Sequence, residues 1–251
     1  MHRRAVLAFA LLPLAAGARP LAEIRRSGKL RIATEGAFAP FNYFDQGRLT
    51  GFEVELAQLV AKKMGLALEW KTLGFDGLLT GLGQDRWDVV IASHGITEER
   101  AKAVSFMAPH YCSGGLVVAR DPKIRRARDL AGRTVAVQTG TTYLEQVKKL
   151  VPPPRDVKNF PTDVDARAAL VTGRVDAWVS DRFVALETLQ KNPQLKLKAG
   201  ELLFTERIAA AAAKGNLPLV EAWNKTLAAL MADGSYAALS RRWFGEDVRC
   251  T

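Results

Sequence analysis

The sequence predicts an α/β fold made of two similar units, one after the other. In each unit, short apolar runs alternate with segments whose apolar residues recur at helical spacing. Strands that alternate with helices favour parallel sheets. The chain has 251 residues, 48% of them hydrophobic and 25% charged, which is enough for a sizeable core in one or two domains. This composition excludes a disordered or fibrous protein.

The first unit begins with a strand at residues 30–33 and continues with a helix at residues 52–64. Apolar residues recur at helical spacing through that helix, and Gly65 is its expected C-terminal stop. Glu53 and Glu55 lie in its first turn, where acids complement the helix dipole. The remaining predicted elements are a strand at residues 66–71, a short helix at 75–82 and a buried strand at 87–92.

The second unit repeats the same order of elements. They are a strand at residues 133–137, a helix at 142–150, a weaker strand at 156–160, a helix at 163–172 and a strand at 175–179. Two extended segments, residues 108–121 and 203–214, are interpreted as crossings between the two units. A ligand is therefore expected in the cleft between two lobes, beside a hinge formed by the crossings.

Two helices end the chain, at residues 217–232 and 235–243. Asp233-Gly234 separates them, and Ser235 is the expected N-cap of the last helix. Packing of these helices on the first unit would make that lobe discontinuous in sequence. Lobe 1 is then expected to comprise residues 19–113 and 206–251, and lobe 2 residues 114–205.

The chain is basic, with 36 Lys and Arg against 26 Asp and Glu, a net charge of +10 and a pI of about 9.8. Such an excess suggests nucleic acid or a membrane surface as a partner. The basic residues are scattered, however, and the run at residues 123–128 lacks the interleaved aromatic residues of nucleic-acid modules. We therefore predict no nucleic-acid partner. Three histidines without an HxxxH pair and only two cysteines predict no metal site, and no cofactor is expected.

Residues 1–18 have the three-part pattern of a secretory signal peptide. Two arginines stand near the start, residues 5–16 form an apolar run, and residues 16–18 carry small side chains at A-x-A spacing. The apolar run is shorter than the roughly 20 residues that span a bilayer; an N-terminal anchor or a buried helix is the alternative. Cleavage after Ala18, or alternatively after Ala22, is expected. Removal of residues 1–18 takes away two of the 36 basic residues and leaves a net charge of +8.

The two cysteines exclude a disulfide-dense scaffold. Export places them in an oxidising compartment, where Cys112 and Cys250 could pair across a very long loop. Two buried free thiols are the alternative, and the sequence leaves both open.

Polar residues follow the predicted strands of both units, and ligands of open α/β sheets bind beyond the carboxyl ends of strands. Arg100 is the most informative of them. Thr97 is the expected N-cap of a helix over residues 98–104, and an arginine three residues later opposes the helix dipole. Beside the free N–H groups of a helix start, however, a guanidinium fits a carboxylate. We therefore expect Arg100 to bind an anion, a solvated surface arginine being the alternative.

Two further positions, Thr142 and Asp181, are ambiguous. Thr142 starts a capping box with Glu145, which would suffice as its role, although its hydroxyl could still reach an anion. Asp181 follows a buried strand without an obvious capping role, so it would either hold an ammonium group or start a turn. The side chains of Ser93 and His94 diverge from a strand end, so a catalytic dyad is not expected there.

The segment at residues 51–64, GFEVELAQLVAKKM, resembles the signature of the family 3 periplasmic solute-binding proteins, the polar amino-acid receptors of ABC importers. Further landmarks of that family follow in the same order across the mature chain. They are APF at 39–41, WD at 87–88, ITEER at 96–100, QTGTT at 138–142, GRVDA at 173–177 and DGSY at 233–236. The resemblance implies a two-lobed periplasmic binding protein type II fold. Its two parallel or mixed sheets would be flanked by helices and joined by a two-strand hinge.

The resemblance also implies roles for individual residues. Arg100 would bind the ligand carboxylate, helped by the Gly95 N–H group and by Thr142. Asp181 would receive the ligand ammonium group. Three further contacts are implied. Glu35 would be an acid near the ligand side chain, Phe38 an aromatic ring packed on the ligand, and Ser93 a polar contact.

The implied function is capture of a free, polar α-amino acid by a monomeric periplasmic receptor that delivers it to a membrane permease. The same architecture also carries exported cyclohexadienyl dehydratases, for which Glu35 or His94 would be the acid/base group. Asp181 favours binding alone, because arogenate is the one such substrate with an ammonium group, and we predict no enzymatic activity. His94 and Tyr143 depart from the usual residues of the family, which leaves the ligand side chain undetermined.

Overall fold

The computed structural model describes residues 18–250, so the predicted signal peptide, apart from Ala18, lies outside the described residues. The chain forms two lobes, each built on a five-stranded sheet with flanking helices. The predicted two-lobed α/β fold is therefore confirmed. Within residues 18–250, no helix is long and apolar enough to cross a membrane.

Lobe 1 begins with a run of short elements. They are α1 (Leu21–Ser27), β1 (Lys29–Thr34), β2 (Ala37–Phe38), β3 (Asn42–Asp45), β4 (Arg48–Thr50), α2 (Phe52–Met64), β5 (Ala67–Thr72), α3 (Leu78–Gly83), β6 (Val89–Val90), α4 (Glu98–Ala103) and β7 (Val104–Phe106). Strand β1 pairs in parallel with β5 on one side and with β6 on the other. The strands β2, β3 and β4 form a separate small antiparallel sheet.

The second sheet follows. Its elements are β8 (Tyr111–Ala119), β9 (Thr134–Gln138), α5 (Thr142–Lys148), β10 (Asp156–Phe160), α6 (Asp163–Val171), β11 (Ala177–Asp181), α7 (Arg182–Lys191) and β12 (Lys198–Ile208). The strand order is β10-β9-β11-β8-β12, with β8 antiparallel to both of its neighbours.

The chain then returns to the first sheet. Strand β13 (Ala211–Ala213) pairs antiparallel with β6 and β7, and helices α8 (Leu217–Ala232) and α9 (Ser235–Phe244) complete the chain. Strands β8 and β12 pair side by side where the chain passes between the lobes, from Tyr111 opposite Ile208 onward. These two strands are the connection about which the lobes can move.

Local sequence explains the placement of α2, which has the bounds predicted for it. Gly51 precedes it with φ 125°, and a Cβ there would lie 2.2 Å from the Phe41 carbonyl oxygen, so only glycine fits. Gly65 ends the helix in the left-handed conformation. Phe52 of this helix packs on Tyr111 and Phe244, which fastens α2 to the start of β8 and to α9.

Several local predictions are wrong. The strand predicted at residues 87–92 is paired only at Val89–Val90. Ser235 is not an N-cap: Gly234 holds that position, and Ser235 is the first helical residue. Helix α7 and the small sheet β2–β4 were not predicted, because their short or weakly amphipathic segments carry no clear periodicity.

Of the two alternatives for the cysteines, the structure has the disulfide. Cys112 lies on β8 and Cys250 follows α9, and their Cα atoms are 4.9 Å apart. The bond ties the C-terminal segment to one of the two strands that connect the lobes.

Candidate functional site

A small cavity lies between the two lobes. Lobe 1 contributes Glu35, Phe38, Phe75, Ser93 and Arg100, and the second lobe contributes Gln138, Thr141, Thr142 and Tyr143. Its volume of about 10 Å³ is close to the space of a single water molecule, so the lobes lie close together here. Of the predicted contacts, five line this cavity. Gly95 and Asp181 do not.

Arg100 joins the lobes through its guanidinium group. Thr97 is the N-cap of α4, as predicted, and its hydroxyl accepts a hydrogen bond from the Arg100 backbone N–H at 3.1 Å. The side chain donates to the carbonyl of Gly95 in lobe 1 and to that of Gly140 in the other lobe, each at 2.8 Å. Burial lowers the pKa of Arg100 below its usual value. A half-buried guanidinium whose hydrogen bonds go to backbone carbonyls of both lobes is suited to receive an anion.

Thr142 does not cap α5, which corrects the prediction of a capping box. Thr141 is the N-cap and accepts a hydrogen bond from the Leu144 N–H at 3.3 Å. Because the helix starts one residue earlier than a cap at position 142 requires, the Thr142 hydroxyl is free to donate to Glu206 Oε2, at 2.7 Å. Glu206 was not predicted as a site residue. The one sequence feature that could have indicated Glu206 is its place just before the apolar part of the second crossing, residues 203–214.

Gly95 lies against this same carboxylate. It forms an isolated antiparallel bridge with Ile208, and its carbonyl accepts the hydrogen bond from Arg100. A Cβ at position 95 would lie 2.1 Å from Glu206 Oε2. The Glu206 carboxylate therefore occupies the space that any side chain at position 95 would need.

Asp181 lies behind the wall of the cavity and is fully buried. Its Oδ1 accepts a hydrogen bond from the Phe183 N–H at 2.7 Å and thereby caps α7, so the interpretation without a capping role is wrong. The Tyr143 hydroxyl, which belongs to the cavity wall, is 3.5 Å from Asp181 Oδ2. Burial raises the pKa of Asp181 to about 7.

Glu35 lies at another part of the wall. Its carboxylate accepts a 2.6 Å hydrogen bond from Gln138 Nε2 of the opposite lobe. Burial raises the pKa of Glu35 to about 8, and the Gln138 hydrogen bond opposes this rise. The group therefore titrates near neutral pH.

Phe38 separates this cavity from a second one of about 120 Å³, because it lines both. Its ring stacks on Phe41 with centroids 5.8 Å apart. The second cavity also lies between the lobes and is rich in charged and polar groups. Among them are Asp163, Arg167, Thr188, Glu187, Lys191 and Asn192.

Ser93 is held by a buried network that the sequence did not reveal. It has a left-handed backbone (φ 55°), and its N–H and hydroxyl donate to the two oxygens of Glu53 at 2.8 and 3.0 Å. Glu53 also accepts from Asn42 and lies 2.9 Å from His110 Nε2. The sequence analysis gave Glu53 only a role at the helix dipole of α2. In the structure its carboxylate also joins α2, β3 and two loops.

His94 does not line the cavity. It is buried and stacks on Phe75 at a centroid distance of 4.2 Å. Burial, and next the positive charge of Arg100, lower its pKa well below the usual 6.5. A neutral imidazole packed on an aromatic ring is a core residue here.

Comparison with known proteins decides the family. The model of the bacterial extracellular solute-binding proteins, family 3, matches residues 30–246. The chain belongs to this family. The resemblance seen in the sequence is thereby confirmed.

Relatives of this family 3 protein include the L-cystine-binding protein TcyJ of Escherichia coli (strain K12). It is 36% identical over 91% of this chain and 87% of its own. An ancestral arginine-binding protein bound to arginine superposes with a TM-score of 0.83 and 39% identity, covering 87% of this chain and 99% of that one. A third relative is the ancestral amino acid-binding protein AncCDT-1, a precursor of cyclohexadienyl dehydratase. It superposes with a TM-score of 0.82 and 31% identity, covering 89% of this chain and 99% of that one. These relatives favour solute binding over dehydration as the function of this chain.

Proposed function

We propose that this protein is an extracytoplasmic receptor that captures a free α-amino acid between its lobes and delivers it to the permease of an ABC importer. Residues 1–18 would direct its export to the periplasm, where it would act as a monomer. Relatives named for L-cystine and for arginine support the class of ligand.

The observation that carries this function is the position of Arg100. Its guanidinium is half-buried between the lobes and contacts the backbone of both, through Gly95 and Gly140. A ligand carboxylate in place of those neutral carbonyls gains a bidentate, charge-assisted pair. Because the lobes would then share one anion, binding favours their closed arrangement.

The surroundings of Glu35 support a polar ligand side chain, and a cationic one best. The carboxylate lines the cavity, and a cation beside it would favour its charged form. Beyond Phe38, the second cavity offers further charged groups to a longer side chain. The predicted contacts Ser93, Thr142 and Asp181 remain proposals, together with the Gly95 N–H group.

Calorimetric titration of the mature chain tests this function. The twenty standard L-amino acids and L-cystine are titrated into protein that has been unfolded and refolded to remove carried-over ligand. We expect at least one polar amino acid to bind with a Kd in the micromolar range or below. Arg100→Ala should weaken that binding by about 2–4 kcal/mol, roughly 30- to 1000-fold, because it leaves a desolvated carboxylate unpaired.

Lys102→Ala, on the exposed face of the same helix, is the matched control and should bind like wild type. Absence of binding by wild type to every compound in the set would refute the receptor function. Retention of affinity within threefold in Arg100→Ala would remove Arg100 from the site.

Dehydration of a cyclohexadienyl acid is a second candidate, favoured by a single observation. Glu35 lines the cavity with a pKa of about 8, which suits a general acid at neutral pH. Turnover of prephenate or arogenate by wild type, lost in Glu35→Gln, would establish that activity. We expect no turnover.

A further inference from the structure

Lobe 2 has an end that faces away from the cleft. Strands β9, β10 and β11 run in parallel, and the carboxyl ends of β9 and β11, at Gln138 and Asp181, lie towards the inter-lobe cavity. Their amino ends therefore lie together at the opposite end of the sheet. The antiparallel strand β8 ends there too, with Ala119 opposite Ala177. The fold thus gathers at this end several segments that are far apart in the sequence.

Three of these segments, residues 120–133, 148–156 and 198–201, are rich in basic side chains, and we call them the basic pole. Together they contain ten Lys and Arg residues and four acids. All ten basic residues except Arg133 are exposed. Basic residues that look scattered along the chain therefore form one positively charged surface.

Backbone contacts hold the three segments together. The Arg155 N–H donates to the Arg133 carbonyl at 2.9 Å, and the Glu201 N–H donates to the Arg125 carbonyl at 2.7 Å. Strand β12 begins at Lys198, which pairs with Ala119 at the end of β8. The basic pole is therefore a continuous part of the folded lobe.

Most of this charge is not neutralised within the protein. Among residues 18–250, the ion pairs of the basic pole are those of Arg126 and Arg128 with Asp129. Both are exposed pairs on the surface, which contribute little to stability. The remaining basic side chains are available to an anionic partner.

A protruding apolar residue indicates which kind of anionic partner fits. Val151 is 92% exposed, more than any other large hydrophobic side chain of the described residues, the next being Leu217 at 56%. Three prolines follow Val151, and because proline fixes φ they stiffen this loop. Lys149 and Arg155 flank the loop on either side. An apolar side chain gains free energy at the boundary between lipid headgroups and acyl chains, where basic side chains also meet anionic headgroups.

Nucleic acid fits this surface less well. None of the three segments contains an aromatic residue that could stack on a base. A duplex also has no apolar boundary that would bury Val151. The combination of positive charge and an apolar loop therefore favours a lipid surface.

We propose that the basic pole docks on an anionic phospholipid membrane, with Val151 in the interfacial region and the basic side chains at the headgroup phosphates. Attraction to the headgroups falls off within a Debye length, about 8 Å at physiological ionic strength, so residues at this end of the lobe dominate it. The cleft lies at the other end of the sheet and stays accessible to a ligand. Docking is therefore independent of which amino acid the protein binds.

Sedimentation of the mature protein with lipid vesicles tests this surface. The probes are vesicles of phosphatidylglycerol and phosphatidylcholine in equal parts and vesicles of phosphatidylcholine alone. We expect wild type to bind the anionic vesicles about tenfold more tightly or better at physiological ionic strength. Binding should be lost at about 1 M salt, where the Debye length is about 3 Å. Failure of wild type to prefer the anionic vesicles overturns the proposal.

Charge reversal locates the docking surface. Lys123→Glu/Arg125→Glu should weaken binding to the anionic vesicles by about tenfold or more. Arg26→Glu/Lys225→Glu is the matched control, because it makes the same change in net charge at exposed positions on α1 and α8 of lobe 1. It should change binding by less than about threefold. Equal losses in the two double variants would mean that net charge alone attracts the protein, which overturns the assignment to the basic pole.

Substitution of the apolar loop distinguishes a membrane from another polyanion. Val151→Ser should weaken binding to the anionic vesicles by about threefold to tenfold, because less apolar surface leaves water. Leu217→Ser, at an exposed apolar position of lobe 1, is the control and should bind like wild type. If Val151→Ser binds the vesicles like wild type, or if wild type binds duplex DNA as tightly as it binds the anionic vesicles, the basic pole is a general polyanion surface and the proposal is overturned. Each of these results leaves the receptor function unaffected, since calorimetric titration with amino acids tests that function separately.

Discussion

The side-chain amide of Gln138 donates a 2.6 Å hydrogen bond to the carboxylate of Glu35, across the boundary between the lobes. The amide is neutral, so it opposes the effect of burial without cancelling it, and the pKa of Glu35 is about 8. In the unfolded chain the same group has its ordinary value of 4.5. Between these two values the folded protein holds a proton that the unfolded chain has released.

Glu35→Gln should therefore change how stability depends on pH. A raised carboxyl pKa gives a contribution that is present below about pH 4.5 and is lost as the pH rises towards 8. Glutamine binds no proton, so the variant should gain stability relative to wild type as the pH rises from 5 to 8. Urea unfolding at several pH values measures this difference. Glu98→Gln, an exposed acid on α4, is the control; parallel pH profiles for wild type and Glu35→Gln would contradict the expectation.

Gly95→Ala should separate ligand binding from stability. The new Cβ would meet Glu206 Oε2 at 2.1 Å, and the end of a flexible side chain moves aside easily. The free energy of unfolding should therefore change by less than about 1 kcal/mol. Amino-acid affinity should fall by about tenfold or more, because the new methyl group and the displaced Glu206 carboxylate crowd the Gly95 N–H group, a proposed contact of the ligand carboxylate. Calorimetric titration measures this affinity, and a value equal to that of wild type would contradict the expectation.

Gly81→Ala should destabilise the first lobe. A Cβ at position 81 would lie 2.0 Å from the ring of Trp87, which is buried and hydrogen-bonded to the Leu78 carbonyl. The ring has no room to move, so we expect a loss of about 1–3 kcal/mol in urea unfolding. Gly83→Ala is the matched control, because a Cβ in the same helix at that position meets nothing within 4 Å. It should be neutral or stabilise by up to about 1 kcal/mol, and equal effects of the two substitutions would be inconsistent with the packing of Trp87.

The parts of the fold that follow from local signals could be predicted. Helix α8 has the predicted bounds, because both its apolar spacing and the Asp233-Gly234 break are local features of the sequence. Asp181 shows where prediction from local signals fails. Its capping role depends on α7, whose sequence is too weakly amphipathic to be recognised as a helix. Glu206 was missed for a different reason. Its contact with Gly95 depends on β12 passing that residue, and no local pattern encodes such a contact between distant parts of the sequence.

A buried ion pair favours one of the two cleavage sites expected for the proposed signal peptide, after Ala18 or after Ala22. Asp88 is almost fully buried, and its Oδ1 accepts hydrogen bonds from Arg19 Nε at 3.1 Å and from the Arg31 side chain at 2.8 Å. Cleavage after Ala22 would remove Arg19, whereas cleavage after Ala18 would keep it. We expect the intact mass of the exported protein to correspond to a chain that begins at Arg19.

Arg19→Ala should reveal how much that contact stabilises the mature protein. Arg31 still neutralises Asp88 in the variant, so the loss is smaller than for a fully unpaired buried charge, which amounts to about 3–5 kcal/mol. We expect a decrease of about 1–2 kcal/mol in the free energy of unfolding, consistent with the loss of charge-assisted hydrogen bonds. Arg26→Ala, an exposed arginine of α1, is the control and should change stability by less than about 0.5 kcal/mol. If the two variants unfold at the same urea concentration, Arg19 contributes no more than an exposed arginine, and the structure gives no reason to prefer cleavage after Ala18.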